Sequence, residues 1–503
     1  MLFFLCGRWQ FVVAWGLLGL CLQSALVAQQ STNSIGSASN SGAAGGAAQA
    51  DFDSLIDLIQ STVAYDSWME NGTGEGEISP FSINGVYADA QGTLRFANSL
   101  TSSEKLRRTP SSPSIGAATD VRSPSPLRFV SLPRLEQAIG EHQRMGKPLP
   151  AEMLTLAGLQ RVEYVVINPK TKDLILAGPA GDWHVGQDGV LVGVKTGIAV
   201  LRLDDLLTLW RRPDVLSPFG CSIVPRQAAL AATQEYLQVT GGKPLEPGGR
   251  KNWLAGLRDT LGSQDVEFFG LTPNSHAALV LLVADYHMKL IGMGLADSVA
   301  GVSSYLDTVE LDADGSAPPM SVLRWWFALN HSPVVTDDDR EIFRLPGSGV
   351  KVLSENELLA ARGKRVHTHQ SEELNERFAK SFTAEFDQVS MRYPLYGELE
   401  YLFDLALLLA IIDREHLLER SGWHPTLLGD SERLPLPTMR IPGEVQTVVN
   451  HRLINRRQII AGISGGVWVD SRRALEVESA NTKQLTNVAQ VKKTASTESW
   501  WWD

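Results

Sequence analysis

The sequence predicts an α+β fold, a mostly antiparallel sheet of hairpins covered by helices, and three observations carry that prediction. Arg161 to Ile167 and Asp173 to Ala177 are β-branched runs separated only by Asn168-Pro169-Lys170-Thr171-Lys172, the spacing of a hairpin. Helical stretches also come in runs, as at Gln227 to Leu237 and Trp253 to Leu261, instead of alternating with strands as a parallel sheet requires. Finally, Leu395 to Asp413 (LYGELEYLFDLALLLAIID) has one polar residue, Asp404, between Leu402 and Ile412. Leu and Ala favour helix, and a helix apolar on nearly every side must be covered on nearly every side. Its apolar run of about eleven residues spans roughly 16 Å at ~1.5 Å rise, against a bilayer core of about 30 Å, so protein is its expected cover.

Composition bounds the class. The 503 residues are 44% hydrophobic and 20% charged, ordinary globular values that allow two or three domains and a large core. A net charge of −11 argues against nucleic acid as a partner, because phosphate binding rests on clustered Lys and Arg. Met1 to Ala28 reads as a secretory signal peptide: Arg8 is a thin basic region, Phe11 to Leu22 is apolar, and Ala25 to Ala28 supplies small residues, which puts cleavage between Ala28 and Gln29. The chain is therefore expected to be exported, to the periplasm or beyond, with no transmembrane span in the mature form. An uncleaved N-terminal membrane anchor is the alternative, against which Gln23 and Ser24 interrupt the apolar run. Cys6 and Cys21 lie in the signal, so only Cys221 remains and no intrachain disulfide is expected.

Along the chain, 29–50 is a low-complexity linker of Ser, Ala, Gly, Asn and Gln. A small helix–hairpin module is expected over 51–100: Phe52, Leu55, Ile56, Ile59 and Val63 share a helical face, and Ile83 to Phe96 reads as a hairpin turning at Asp89 to Gly92. Residues 101–126 are Ser/Pro-rich and read as a second linker. The main α+β domain is expected over 127–470. Ser131 before Pro133 starts a helix, Asp204-Asp205 opens another with both acids at its positive end, and Asn274 or Ser275 caps a long helix to about Met293. Leu323 to Ala328 reads as a buried strand. Glu372 to Met391 reads as one amphipathic helix with Leu374, Phe378, Phe382, Phe386 and Val389 on one face. Val445 to Val469 reads as strands turning near Asn455 and again at Ser464-Gly465-Gly466, and 471–503 as a polar tail ending in an exposed Trp500-Trp501-Trp502 cluster.

Several phrases resemble a family of exported planctomycete proteins that carry a large domain of unknown function: FDSLIDLIQSTV from Phe52, GVYADAQGTLR from Gly85, LRFVSLPRLEQAI from Leu127, LAGLQRVEYVVINPKTKDLILAGPAGDW from Leu156, ADYHMKLIGMGL from Ala284, RWWFALN from Arg324 and AGISGGVWVD from Ala461. The resemblance covers most of Phe52 to Asp470 and implies export to the bacterial cell envelope and the domain layout. It carries no catalytic residue.

The motifs of chemical interest are incomplete. Gly462-Ile463-Ser464-Gly465-Gly466 fits G-x-S-x-G, but a strand follows and the last histidine, His451, precedes the serine, so the reading is a Gly-rich turn. His367 and His369 alternate as strand neighbours do and could reach one metal ion with a remote acid. His276 and His287 share a helical face, three turns and roughly 16 Å apart, too far for one ion. Asp312-Ala313-Asp314-Gly315 is half of a calcium loop. Asp404, one turn from Glu400, needs a buried partner or a raised pKa, and Cys221 in FGCSIV reads as a buried, inert thiol. No catalytic residue, metal or cofactor is therefore assigned. The expected function is a non-catalytic binding or structural role in the cell envelope with an unidentified envelope partner or ligand. The alternative is a metal-dependent hydrolase using His367 and His369.

Overall fold

The structure, a computed structural model, describes residues 77–81, 85–89, 120–186, 188–240, 249–310, 321–345, 349–454, 457–475, 477–479 and 501–502. The signal with Ala28 and Gln29, the 29–50 linker, the helix expected from Phe52, the turn at Asn455 and Asp312 to Gly315 lie outside these residues. β1 (Glu77–Phe81) pairs with β2 (Gly85–Asp89); β2 covers the first strand of the hairpin expected over Ile83 to Phe96, whose turn beyond Asp89 and second strand lie outside the described residues.

The main body begins with β3 (Ser125–Ser131), ahead of Leu127, and Val121 is already buried. The Ser/Pro composition hid that start, because Ser125 and Pro126 sit at the first positions of an edge strand, where Pro is tolerated. Ser131 caps α1 (Leu132–Arg144): its Oγ accepts from the Arg134 amide at 3.3 Å and donates to Asp173 at 2.6 Å. Ser131→Ala should lower unfolding free energy by about 1 kcal/mol, read by urea titration; no change would mean the cap is redundant. There follow α2 (Ala151–Leu154), the expected hairpin β4 (Tyr164–Asn168) and β5 (Asp173–Ala180), then β6 (Trp183–Val185), β7 (Leu191–Gly193) and α3 (Leu203–Trp210). Next come β8 (Phe219–Pro225), α4 (Gln227–Thr240), α5 (Gly249–Leu261), β9 (Ser263–Phe269), α6 (His276–Gly292, capped by Ser275) and α7 (Tyr305–Thr308). The remainder is β10 (Ser321–Leu329), β11 (Val334–Thr336), β12 (Ile342–Arg344), β13 (Val350–Leu359), β14 (Arg365–His367), α8 (Glu373–Ala384), α9 (Phe386–Arg392), α10 (Leu395–Arg414), α11 (Leu417–Ser421), β15 (Glu444–Gln446), β16 (Val449–Ile454), β17 (Arg457–Val469) and β18 (Val477–Ser479).

The fold is α+β. A six-stranded sheet runs β18-β11-β12-β4-β5-β3, and an eight-stranded sheet runs β14-β13-β10-β17-β8-β9-β15 with β16 also on β17. Pairing is antiparallel except for β10 with β17 and β11 with β18. The Ser464-Gly465-Gly466 turn does not exist: β17 runs straight through it as the sheet's central strand. The glycines serve close strand approach, since a Cβ on Gly465 would lie 1.8 Å from the Trp325 carbonyl oxygen. β10 is buried on one face, with Leu323, Trp325 and Phe327 inside, while Arg324 and Trp326 on the other face are only half-buried. The single helix expected over Glu372 to Met391 is two, α8 and α9, meeting at Glu385; the bend keeps Phe378, Phe382, Phe386 and Val389 all in the core.

The Leu-rich helix behaves as its sequence demands. In α10 every residue from Leu395 to Ile412 is buried except Glu400, which is half-buried, and its neighbours include α3, α6, α9 and α11. Among the described residues no helix is long and apolar enough to cross a membrane. The C-terminal tryptophans overturn the exposed-tail reading. Trp501 and Trp502 are buried, the Trp501 carbonyl accepts from the Ser131 amide, Trp502 bridges to Val130 of β3, and the Arg128 guanidinium lies over its ring. Two large aromatic surfaces next to an open sheet edge are more stable covering it than in water.

Candidate functional site

Helices α6, α8 and α10 occupy one face of the eight-stranded sheet. Among the described residues, the opposite face is covered only in part. Leu230 of α4 and Leu257 and Leu261 of α5 pack on Val449 over the β16 end, and Gln234 of α4 bonds to the Ala360 carbonyl and Gly363 amide beyond β13. Beside that cover, four strands bring polar groups into register. On β13, Glu355 and Glu357 point the same way, being two residues apart. Across β10 and β17 the row reads Glu355, Arg324, Ser464, and β14 sets His367 opposite Glu357.

These groups bond to one another. Arg365 holds Glu357 in a fork, 2.6 Å from Nε and 2.5 Å from Nη2, and its Nη2 also donates to Ser464 Oγ at 2.9 Å. Arg324 donates to Glu355 at 2.9 Å, and the His369 amide reaches the other Glu355 oxygen at 2.8 Å. His367 Nδ1 lies 3.2 Å from both carboxylates. Although the face is open, Glu355 and Glu357 are 3% and 4% exposed. Burial would push the Glu355 carboxyl up, but the His369 amide, Arg324 and His367 outweigh it and hold it below the usual range.

Two motifs that seemed unrelated in sequence, the serine of G-x-S-x-G and the first histidine of the pair, thus meet at one point. The two imidazoles stack with centroids 6.2 Å apart, but His369 stays outside the close set: it is 88% exposed on its side chain, with Nδ1 3.8 Å from Glu355. Glu355, Glu357 and His367 present ligand atoms within 4.8 Å of one another, which is compatible with a metal ion. Each carboxylate, however, already faces a guanidinium, and Arg365 uses both oxygens of Glu357. A cation would have to displace Arg365 to gain that ligand. Ser464 is 1% exposed and bonds to Arg365, Glu357 and the Leu323 carbonyl, an arrangement that anchors a strand and does not present a nucleophile.

Beneath the opposite face lie titratable groups with no outlet in this site. The Asp205 carboxylate accepts from Tyr401 at 2.6 Å and stands 2.9 Å from His276 Nδ1, while Glu398 lies 3.6 Å from His276 Nε2. Burial pushes Glu398 up to about 7. Asp404 has its expected partner: Arg161 bonds to both its oxygens, and burial still raises it to about 7. His287 donates to or accepts from Tyr396 at 2.9 Å, and burial lowers it to about 3. Asp285 and Lys289, one turn apart on α6, form an ion pair at 2.7 Å with both side chains fully buried. Cys221 is buried nearby, and its thiol is pushed well up by desolvation.

Comparison with known proteins adds one finding. Residues 221–305 match a family described as "Protein of unknown function (DUF1598)". The matched segment runs from β8 to the first residue of α7 and holds His276, Asp285, His287 and Lys289; the Glu355 cluster lies outside it. No curated protein and no solved structure matches the chain.

Proposed function

We propose that this chain is an exported, non-catalytic binding protein of the bacterial cell envelope, and that it binds through the open face of the eight-stranded sheet. The observation that supports this most is the Glu355–Arg324–Arg365–Glu357 network, a built and self-neutralised polar cluster beside the exposed Trp468 and the half-buried Trp326 on a face that the described residues cover only in part. Polar groups already oriented by mutual bonds can exchange those bonds for a ligand's with little loss of side-chain freedom. The signal-like first 28 residues and the resemblance to exported planctomycete proteins support the envelope as its place.

The test is co-sedimentation of the purified chain with isolated, insoluble envelope material, alongside N-terminal sequencing of the protein recovered from its native cells. The expected result is retention in the pellet, a first residue of Gln29, and loss of retention in Trp326→Ala/Trp468→Ala. Turnover of an envelope substrate, abolished by a single exchange in the cluster, would replace the reading with an enzymatic one. The metal-dependent alternative rests on the ligand-atom spacing of Glu355, Glu357 and His367. Stoichiometric metal after chelation and reloading, lost in His367→Ala, would favour it.

A further inference from the structure

We infer that the ligand is a neutral polysaccharide whose sugar rings lie across a strip of the open sheet face centred on Trp326 and Trp468; this rests on the binding reading above and names its ligand class. The register fixes the strip. One row across β13, β10, β17, β8 and β9 reads Leu353, Trp326, Gly466, Ser222, Glu267, and the next reads Lys351, Ala328, Trp468, Gly220, Phe269. The two tryptophans are diagonal neighbours on adjacent strands, roughly 7–8 Å apart by sheet geometry. Around them the sheet carries Gly, Ala and Ser, so the rings stand above a low floor.

Both rings are held by a neighbour, and Trp326 is half-buried. The Arg324 guanidinium lies 4.4 Å from the Trp326 ring, and Phe269 packs 5.0 Å from Trp468. Trp468 nevertheless remains 48% exposed. An indole fixed on one side and wet on the other matches a pyranose ring, whose C–H face is apolar and whose rim is hydroxyl. Further along β17, a Cβ on Gly462 would meet nothing within 4 Å, so no packing contact requires that glycine. Glycine in a strand interior weakens the strand and often marks close approach of a ligand.

Charge decides among polymers. On this face Lys351, Arg324, Arg365 and Arg226 stand against Glu355, Glu357, Glu267, Asp265 and Glu444, so it carries no excess of cations while offering donors and acceptors side by side. A uronate or phosphate polymer would find no excess of cations, whereas a polyol uses both kinds of group. Lys351 and Glu267 close the two rows at their ends, so the apolar strip is limited to Leu353, Trp326, Ala328, Trp468 and Phe269, short of the core that a stable protein–protein interface needs.

The test is isothermal titration and tryptophan emission of the full chain with neutral hexasaccharides of glucose, mannose and N-acetylglucosamine, and with a galacturonate hexamer. We expect at least one neutral oligomer to bind more tightly than the uronate. Its affinity should fall at least tenfold in Trp468→Ala, with the thermal midpoint unchanged, and be largely kept in Trp468→Phe. Preference for the uronate, or neutral binding untouched in Trp468→Ala, overturns the inference. Co-sedimentation with envelope material without any neutral oligomer bound overturns the glycan assignment alone; failure of both removes the binding reading as well.

Discussion

Lys289→Met should destabilise the protein by about 3–5 kcal/mol, measured by denaturant titration at neutral pH. Lys289 and Asp285 are both fully buried on α6, with Nζ 2.7 Å from the carboxylate but without well-directed hydrogen bonds to it. The ammonium is wedged against the sheet, where its Cε approaches within 3.1 Å of where a Cβ on Gly465 would stand. Removing it leaves a carboxylate that cannot be rehydrated, and desolvation already raises that group above its ordinary value. The double exchange Asp285→Leu/Lys289→Met removes both desolvation penalties and should recover most of the loss, because apolar replacements of a buried pair are often neutral or better. The cycle then gives the coupling directly. A cost below about 1 kcal/mol for Lys289→Met alone would mean that water reaches the pair.

That ion pair also marks where sequence reading stops. The α10 rod was legible because nearly every side of it is apolar, and the β4–β5 hairpin because its loop is short and polar between β-branched runs. The α6 cap was legible to within one residue, Asn274 or Ser275, and is Ser275. Asp404 could be assigned a buried partner, but not Arg161 by number, since 243 positions separate them. The candidate site was half legible. His367 and Ser464 stood out as motif fragments, whereas Glu355 and Glu357 did not, although their two-residue spacing on a strand that turns back through Arg365 and His367 was a usable signal. What no local pattern could give was the parallel pairing of β10 with β17, which sets Arg324 beside Ser464. The Gly-Gly pair misled because the same freedom that makes a turn also permits close strand contact, and only the neighbouring strand decides which. Trp501 and Trp502 misled similarly: apolar residues after a polar stretch look exposed until the β3 edge they cover is known.

Glu398→Gln should flatten part of the stability–pH curve between about pH 4.5 and 7, and by pH 8 the variant should gain on the wild type by about 3 kcal/mol relative to their difference at pH 4. The sign follows from the proton. Burial raises the folded Glu398 to about 7 from an ordinary 4.5, against the pull of His276 and Arg202 and helped by Asp205 and Asp188. Between those values the folded state holds a proton that the unfolded chain has released. The stabilisation is therefore complete below pH 4.5 and is lost as pH rises through 7. Glutamine has no such proton. Asp404, raised from 3.8 to about 7, acts in the same direction, and His287, lowered from 6.5 to about 3, acts in the opposite one. The absolute slope thus mixes several groups, but subtracting the two curves cancels those left unchanged. Asp404→Asn is the poorer probe, because it also strips Arg161 of its fork. Urea midpoints at pH 4, 5, 6, 7 and 8 for both proteins are sufficient. Parallel curves would show that Glu398 ionises in the fold as it does in water, and that the His276–Asp205–Tyr401 cluster is hydrated.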